Sequence, residues 1–513
     1  MYTHYERLSA LDAVFLSVED GNTHMHAGAV NLFDAGPLTR ADGTIDMERI
    51  RRMVQVAIHR VPRYQQRLTT IPLFGSPAWV DDAEFNLNYH VRQLGLPKPG
   101  DMRVLKRVTG WIMSQQLDRD RPLWELWVVD GIEGNQVALI TKMHHCMIDG
   151  VGGVGLTGAF IRATPELEPA LDNPPRWLPR RAPSGGDLLL DEFLRRAATP
   201  VRALSAASQL LVHPRRTLAA ARDAVIGLGE AISVGLHPAS PTPLNLEIGP
   251  HRRFDWLEMD LAAVKEVKSR FGGTVNDVVL ATAAGALSRF LHNRGLVPGE
   301  LEFRAMIPVN TRTEQQHERM GNRITMIVGR LPLEERDAPR RLQRVIEMTT
   351  ALKRSGQALG IKTLAEVSDL TAASLFSGFI HLSTSARPYN VVITNIPGPK
   401  FQAYFLGSAL QAVYPLVPLN RNQALGVALI SYNGKLFWGF NADWDAVPDL
   451  HDLVTAVETE FGRLLSAAAA IPLAHVPTRR GQKPRVRPPI TAVHQRGNGG
   501  PPDKRATGMN AVS

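Results

Sequence analysis

The stretch KMHHCMIDG, Lys142–Gly150, decides how this chain is interpreted. It follows an apolar, β-branched run, QVALIT, which is typical of a short buried strand. Neighbouring side chains on a strand point to opposite faces, so only one of His144 and His145 can enter a given cavity. A turn after the strand would bring Asp149 close to His145. Gly150 then allows backbone conformations that bulkier residues resist.

These residue types suit proton transfer, because an imidazole with an ordinary pKa of about 6.5 is a general base near neutral pH. Three other interpretations stay open at this point. A histidine pair beside a carboxylate also suits a metal ion, although no HExxH motif or further ligand cluster accompanies it. Cys146 is a thiol next to a histidine, but a small buried residue is the simpler interpretation. Both histidines can also be satisfied core residues.

A glycine pattern directly downstream imitates a nucleotide site. Gly153, Gly155 and Gly158 fit G-x-G-x-x-G. In dinucleotide-binding proteins the strand leads straight into that pattern, whereas here it ends at the histidines. The nearest acids, Glu166 and Glu168, also come too early. We therefore interpret the glycines as part of a helix packed against a cavity wall. The sequence contains no Walker A motif and no GxSxG elbow.

The composition is that of an ordinary globular protein, with 44% hydrophobic and 21% charged residues among 513. Cys146 is the single cysteine, which excludes an internal disulfide and fits a reducing compartment. We find no signal peptide and no apolar stretch of the ~18 residues that span a bilayer, so we expect a cytoplasmic protein that at most lies on a membrane. Residues 477–513 hold eight basic residues and one acid, and thus +7 of the net charge of +9. The charge therefore does not imply a nucleic-acid partner.

Four segments are predicted along the chain. Residues 1–180 mix helical and strand patterns and carry the histidine pair, and residues 181–245 form a helical crossover or linker. Residues 246–475 form a second mixed region, which includes a hairpin with Asn433-Gly434 as its turn and an amphipathic helix over 449–470. The tail, 476–513, is basic, rich in proline and glycine and free of aromatic residues, and is predicted to be disordered.

Further motifs surround the histidine pair. HHCMIDG resembles the HHxxxDG motif of the bacterial wax ester synthase/acyl-CoA:diacylglycerol acyltransferase family. LSALDAVFL and MHAGAV resemble the start of that family, and Pro122-Leu123-Trp124 resembles its PLW segment. Asn276-Asp277 in TVNDVVLA resembles its Asn-Asp motif, and VVITNIPGP resembles a later block. The resemblance covers residues 7 to about 470 in order, and the tail lies outside it.

The resemblance implies an α/β (α+β) fold of two chloramphenicol-acetyltransferase-like domains with a central tunnel between them. It implies an O-acyltransferase that uses acyl-CoA as co-substrate, with no other cofactor and no metal. The expected acceptor is diacylglycerol, because 47 arginines against 11 lysines indicate a GC-rich genome of the actinobacterial type, where triacylglycerol is commonly stored. Long-chain alcohols, giving wax esters, are the alternative. The expected location is the inner face of the membrane or the surface of lipid inclusions.

The resemblance also assigns roles to residues. His145 becomes the general base, and His144 the less favoured candidate for that role. Asp149 either orients His145 or pairs with an arginine that the sequence does not identify. The candidate substrate-binding residues are Asn276, Asp277 and Gly150.

Other interpretations remain open for the site and for the whole chain. Asn276 and Asp277 can equally cap the apolar helix that follows them. A condensation domain acting on carrier-tethered groups also contains HHxxxDG, although a free-standing chain with the Asn-Asp and PLW blocks disfavours it. The second alternative is a catalytically silent lipid-binding relative.

Overall fold

The computed structural model describes residues 4–147, 158, 160–166, 173–197, 238–310, 324–354 and 387–471. All of them belong to one compact unit, Met1–Ile471, and the remaining unit is Pro472–Ser513. The basic tail predicted to be disordered therefore lies outside the described residues. Residues 198–237 of the predicted helical linker also lie outside the described residues. Within the same linker, residues 185–197 form a helix.

The first half of the chain forms a large sheet, a small sheet and their helices. The strands are β1 Tyr5–Arg7, β2 His26–Asp34, β3 Gln66–Thr70, β4 Pro77–Asp81, β5 Val91–Gly95, β6 Trp124–Ile132 and β7 Gln136–His144. The helices are α1 Ala10–Val18, α2 Met47–His59, α3 Leu87–His90 and α4 Met102–Ser114. The small sheet has the order β1-β4-β3. Every residue of β7 after Gln136 is buried, which explains the unbroken apolar run in the sequence.

The second half forms another large sheet with helices. Its strands are β8 Arg252–Asp260, β9 Arg304–Asn310, β10 Ile324–Arg330, β11 Val391–Pro397, β14 Leu425–Tyr432 and β15 Lys435–Asp443, in the order β10-β9-β11-β14-β15-β8. The helices are α5 Leu261–Phe271, α6 Val275–Asn293, α7 Ala338–Arg354 and α8 Leu450–Ala469. The predicted hairpin is confirmed as β14–β15, with Asn433 at φ 41° and Gly434 at φ 82°. The predicted amphipathic helix is confirmed as α8.

Two strands from the second half complete the first large sheet. They are β12 Tyr404–Phe405 and β13 Ser408–Leu416, and the sheet order is β12-β13-β2-β7-β6-β5. β13 runs antiparallel to β2, from Leu410 opposite Phe33 to Leu416 opposite Gly28. The same strand approaches the second sheet so closely that a Cβ on Gly439 would lie 1.8 Å from the Pro415 carbonyl oxygen. β13 therefore joins the two halves.

Candidate active site

The histidine pair lies where β7 stops. The strand ends at His144, and His145–Met147 form a turn of 3₁₀ helix. The prediction that the strand includes His145 is therefore wrong by one residue. Because the strand ends between the two residues, strand alternation does not set the directions of their rings. The backbone N–H of His145 donates to the Met25 carbonyl at 2.8 Å, which anchors the turn to the residue that precedes β2.

His145 is held in an apolar setting by α1. Its ring lies against the ring of Phe15, with 4.0 Å between centroids and 30° between planes. Its Nδ1 is buried and has no hydrogen-bond partner in the described part of the chain. Burial lowers the pKa of His145 to about 4, because the charged form loses its hydration. The imidazole is therefore neutral at physiological pH, which is the form that can accept a proton.

His144 has a different environment. It is 1% exposed, and its Nδ1 accepts a hydrogen bond from the backbone N–H of Cys146 at 3.2 Å. That bond leaves the proton of the neutral ring on Nε2. Burial lowers the pKa of His144 to about 3. The Cys146 thiol is 2% exposed and burial raises its pKa well above the usual value, so the thiolate that a nucleophile needs is disfavoured.

A carboxylate at the end of α1 supports the turn from below. Glu19 caps α1, and its side chain is 2% exposed. Arg119 binds this carboxylate through Nε at 3.0 Å and Nη2 at 2.6 Å. Glu19 Oε1 accepts the Met25 N–H at 3.4 Å, and the Met25 carbonyl accepts the N–H of His145. One continuous chain of contacts thus links the arginine to the backbone of His145.

Glu19 also faces two imidazoles. Its Oε1 lies 3.6 Å from Nε2 of His144 and 3.8 Å from Nε2 of His26. Both separations exceed hydrogen-bond length. His26 and His144 are directly opposite each other in the β2–β7 register. The carboxylate therefore lies beside His26 and His144 without fixing either ring by a direct bond.

A buried lysine connects β7 to α4. Lys142 is fully buried, and its Nζ donates to the Ile112 carbonyl at 2.9 Å and to the Gln115 carbonyl. These carbonyls belong to the C-terminal end of α4, where helices favour cations. Glu125 Oε2 lies 3.6 Å away, and burial lowers the pKa of Lys142 to about 8. The contacts hold the strand that carries His144 against the helix.

The Asn-Asp pair lies at the start of α6. Thr274 is the N-cap, and Asp277 completes a capping box by accepting the Thr274 N–H at 2.7 Å. The other carboxylate oxygen accepts the hydroxyl of Thr349 at 2.7 Å. Asp277 is 2% exposed, so these bonds favour the capping alternative for this residue. Asn276 is the second residue of the helix, is half-buried and takes no part in the cap.

Some of the remaining candidate site residues lie outside the described part of the chain, and others are buried beside the strand end. Asp149 and Gly150 lie outside the described residues, so their roles and the central tunnel stay predictions. The PLW segment supports the strand end: the N–H of His144 donates to the Leu123 carbonyl at 2.9 Å, and Trp124 is fully buried. Among the described residues, no group of three or more histidine, cysteine, aspartate or glutamate side chains is placed to hold a metal ion.

Solved structures define the class of this fold. The starter condensation domain of rhizomide synthetase RzmA matches with a TM-score of 0.55 and 12% identity, over 91% of this chain and 95% of that domain. The wax ester synthase/diacylglycerol acyltransferase of Marinobacter aquaeolei VT8 matches with a TM-score of 0.62 and 26% identity, over 90% of this chain and 100% of that protein. The chain thus has the two-domain, chloramphenicol-acetyltransferase-like fold that was expected.

Sequence comparison identifies the family within that class. The profile of the wax ester synthase/diacylglycerol acyltransferase catalytic domain matches residues 8–279, and that of the C-terminal domain matches residues 320–465. A putative diacylglycerol O-acyltransferase of Mycobacterium tuberculosis H37Rv is 33% identical, over 90% of this chain and 91% of that protein. The probable diacylglycerol O-acyltransferase tgs1 of the same strain is 28% identical, over 90% and 96%. The chain belongs to the wax ester synthase/diacylglycerol acyltransferase family and is an acyltransferase.

Proposed function

We propose that this acyltransferase moves a long-chain acyl group from acyl-CoA to the free hydroxyl of diacylglycerol and so forms triacylglycerol. The acceptor is supported by mycobacterial relatives that are named diacylglycerol O-acyltransferases. The observation that carries the chemistry is the neutral imidazole of His145 in the turn after β7. Long-chain alcohols are a second candidate acceptor, because the Marinobacter relative is named for both activities.

His145 acts as general base and then as general acid. It accepts the hydroxyl proton of the acceptor while the oxygen attacks the thioester carbonyl, which forms a C–O bond and a tetrahedral oxyanion. Collapse of the oxyanion breaks the C–S bond. The proton on His145 then passes to the departing sulfur, so the products are the ester and free coenzyme A. The low pKa of His145 suits the second step, because it makes the protonated imidazole a ready donor.

No acyl-enzyme and no cofactor other than the acyl-CoA co-substrate enter this scheme. Cys146 is the only thiol in the chain, and its burial disfavours the nucleophilic form. Phe15 and Glu19 are positioning residues: the first covers the His145 ring, and the second supports its backbone through Met25. Asp149, Asn276 and Gly150 remain proposed site residues on the strength of the family motif.

The proposed location is the inner face of the membrane or the surface of lipid inclusions. The acceptor and the product are insoluble in water, so the enzyme must meet them at a lipid surface. In the described ranges no helix is long and apolar enough to cross a membrane. A peripheral attachment is therefore proposed.

The test uses purified protein, palmitoyl-CoA and either diacylglycerol or hexadecanol, with release of free thiol as the readout. We expect faster release with diacylglycerol. His145→Ala should lower turnover by ~10²- to 10⁴-fold, the usual loss for a general base. His144→Ala should retain much more activity, with the melting temperature of both variants measured as a control for folding. Equal losses in two folded variants would contradict separate roles, and no thiol release with either acceptor would favour the lipid-binding alternative.

A further inference from the structure

A short loop of the first half, residues 19–25, anchors the turn that carries His145. The N–H of His145 donates to the carbonyl of Met25, the last residue of this loop, at 2.8 Å. The loop is also bonded to itself, because Asp20 Oδ1 accepts the N–H groups of Asn22 and of the residue after it, each at 2.8 Å. A displacement of the loop at Asn22 should therefore be carried to Met25. We call residues 19–25 the support loop.

An arginine of the second half binds the support loop. Nη2 of Arg252, the first residue of β8, donates to the main-chain carbonyl of Asn22. Nη1 of the same side chain donates to the carbonyls of Gly249 at 2.6 Å and His251 at 3.1 Å. The main chain of Arg252 contacts the first half as well, since its N–H donates to Ser114 Oγ in α4 at 2.8 Å. One guanidinium thus connects the start of β8 to the support loop.

The Arg252 side chain keeps its charge in a buried setting. It is 3% exposed, and burial lowers its pKa to about 10, so the guanidinium is still charged at neutral pH. Asp443 and Asp20 stabilise the charge electrostatically. Their oxygens also bind backbone N–H groups, that of Gly249 for Asp443 and those of the support loop for Asp20. A buried charge is costly in free energy, and its planar fork holds separate carbonyl groups at fixed positions. Position therefore explains this arginine better than stability does.

We propose that Arg252 is a positioning residue for acyl transfer, which holds the support loop, and through it the turn of His145, from the second half of the chain. The inference deepens the proposed function and rests on it for the role of His145. Two arginines fasten the support loop. Arg119 binds the Glu19 carboxylate at its start within the first half, whereas Arg252 binds it from the other half. The placement of the general base then depends on how the two halves pack together.

The first measurement is hydrogen–deuterium exchange of the full chain, followed in peptides that cover residues 19–26 and 141–147. The test variant is Arg252→Gln. The matched control is Arg294→Gln, which removes another arginine of the second half. Arg294 donates to a carbonyl within its own half, that of Ala446, at 3.0 Å. We expect both peptides to exchange ~10-fold faster in Arg252→Gln, because the amides lose a local restraint, and to match the parent in the control.

The second measurement is steady-state thiol release with palmitoyl-CoA and diacylglycerol. A misplaced base weakens the transition state without changing the binding of acyl-CoA. The kcat of Arg252→Gln should therefore fall by ~10²-fold while the KM for palmitoyl-CoA stays nearly unchanged. Arg252→Lys should lie between this variant and the parent, because it keeps the charge but loses the planar fork. The Arg294→Gln control should keep the kcat of the parent.

The possible results are distinct. Unchanged exchange in Arg252→Gln, or equally fast exchange in Arg294→Gln, would overturn the proposal, since the second result would indicate a general loss of stability. Faster exchange with an unchanged kcat would also overturn it, as would a rise in KM alone, which would assign Arg252 to acyl-CoA binding. If Arg252→Gln does not fold, Arg252→Lys supplies both measurements. An inactive parent would defeat the proposed function, and the exchange measurement would still decide whether Arg252 holds the turn.

Discussion

Replacing Phe15 by alanine should move the acid side of the pH profile of turnover. The Phe15 ring lies 4.0 Å from the ring of His145, and burial lowers the pKa of His145 to about 4. Removing the phenyl group admits water to one face of the imidazole. Hydration stabilises the charged form, so the pKa of His145 should rise toward its ordinary value of about 6.5.

The size of the effect follows from the two pKa values. A general base works unprotonated, so turnover falls as the pH drops through its pKa. With a pKa of about 4, about nine-tenths of the His145 side chains are neutral at pH 5. With a pKa of about 6.5, only about 3% are neutral at that pH. Turnover at pH 5, relative to that at pH 7.5, should therefore fall by up to ~25-fold more in Phe15→Ala than in the parent.

The assay is the initial rate of thiol release between pH 4.5 and 8, read with 4,4′-dithiodipyridine, which reacts with thiols in acid. Returning each sample to pH 7.5 distinguishes titration from unfolding. Phe401→Ala serves as the control, because Phe401 is 54% exposed and belongs to a loop of the second half. A parent profile that falls near pH 6.5 would refute the lowered pKa of His145. A Phe15→Ala profile identical to that of the parent would refute the role of the phenyl ring.

Three further predictions concern stability and the undescribed segments. Burial lowers the pKa of His90 to about 4, so the folded protein loses stability as the pH falls from about 6.5 toward 4. In His90→Phe, an aromatic ring still stacks between Phe85 and Trp124 but cannot be protonated. Between pH 7.5 and 5, the free energy of unfolding of this variant, measured by denaturant titration, should therefore fall by ~2 kcal/mol less than that of the parent. Equal falls in the two proteins would contradict this prediction. Asp149→Asn should lower both turnover and melting temperature if the carboxylate pairs with a buried arginine. An inactive variant that melts like the parent would instead indicate a catalytic role for Asp149. Truncation after Val476 should reduce sedimentation with anionic vesicles at low salt and leave turnover on a detergent-dispersed acceptor unchanged. Identical sedimentation at every salt concentration would exclude the tail as an anchor.

The sequence predicted the elements whose structure depends only on neighbouring residues, such as tight turns and amphipathic helices. The Asn433-Gly434 turn follows from the positive φ that both positions need, and α8 follows from the spacing of its apolar residues. The position of β13 had no such signal. Its apolar pattern suits either large sheet, and its partner β2 lies almost 400 residues earlier in the chain. Strand pairing over that distance depends on how the whole chain packs, which a local pattern does not record.

The site shows the same contrast. The HHxxxDG motif located His145. A lysine inside an otherwise apolar run also indicates a buried polar contact, which Lys142 makes with α4. No pattern in the sequence predicts the contact between Glu19 and Arg119, because the two residues are 100 positions apart and each resembles an ordinary surface charge. Whether a charge is buried depends on its partners, and the sequence shows those partners only after the fold is known.

The shared strand β13 also has a consequence for synthesis of the protein. The edge of β2 opposite β7 receives its partner only when Leu416 has left the ribosome, about 270 residues after His144. At ~5–20 residues per second, the nascent chain waits roughly 15 to 50 s with that edge unpaired. Unpaired edges invite association with other chains. Translation speed and the chaperones that bind the emerging chain should therefore affect the yield of active enzyme more than in a protein whose two halves fold one after the other.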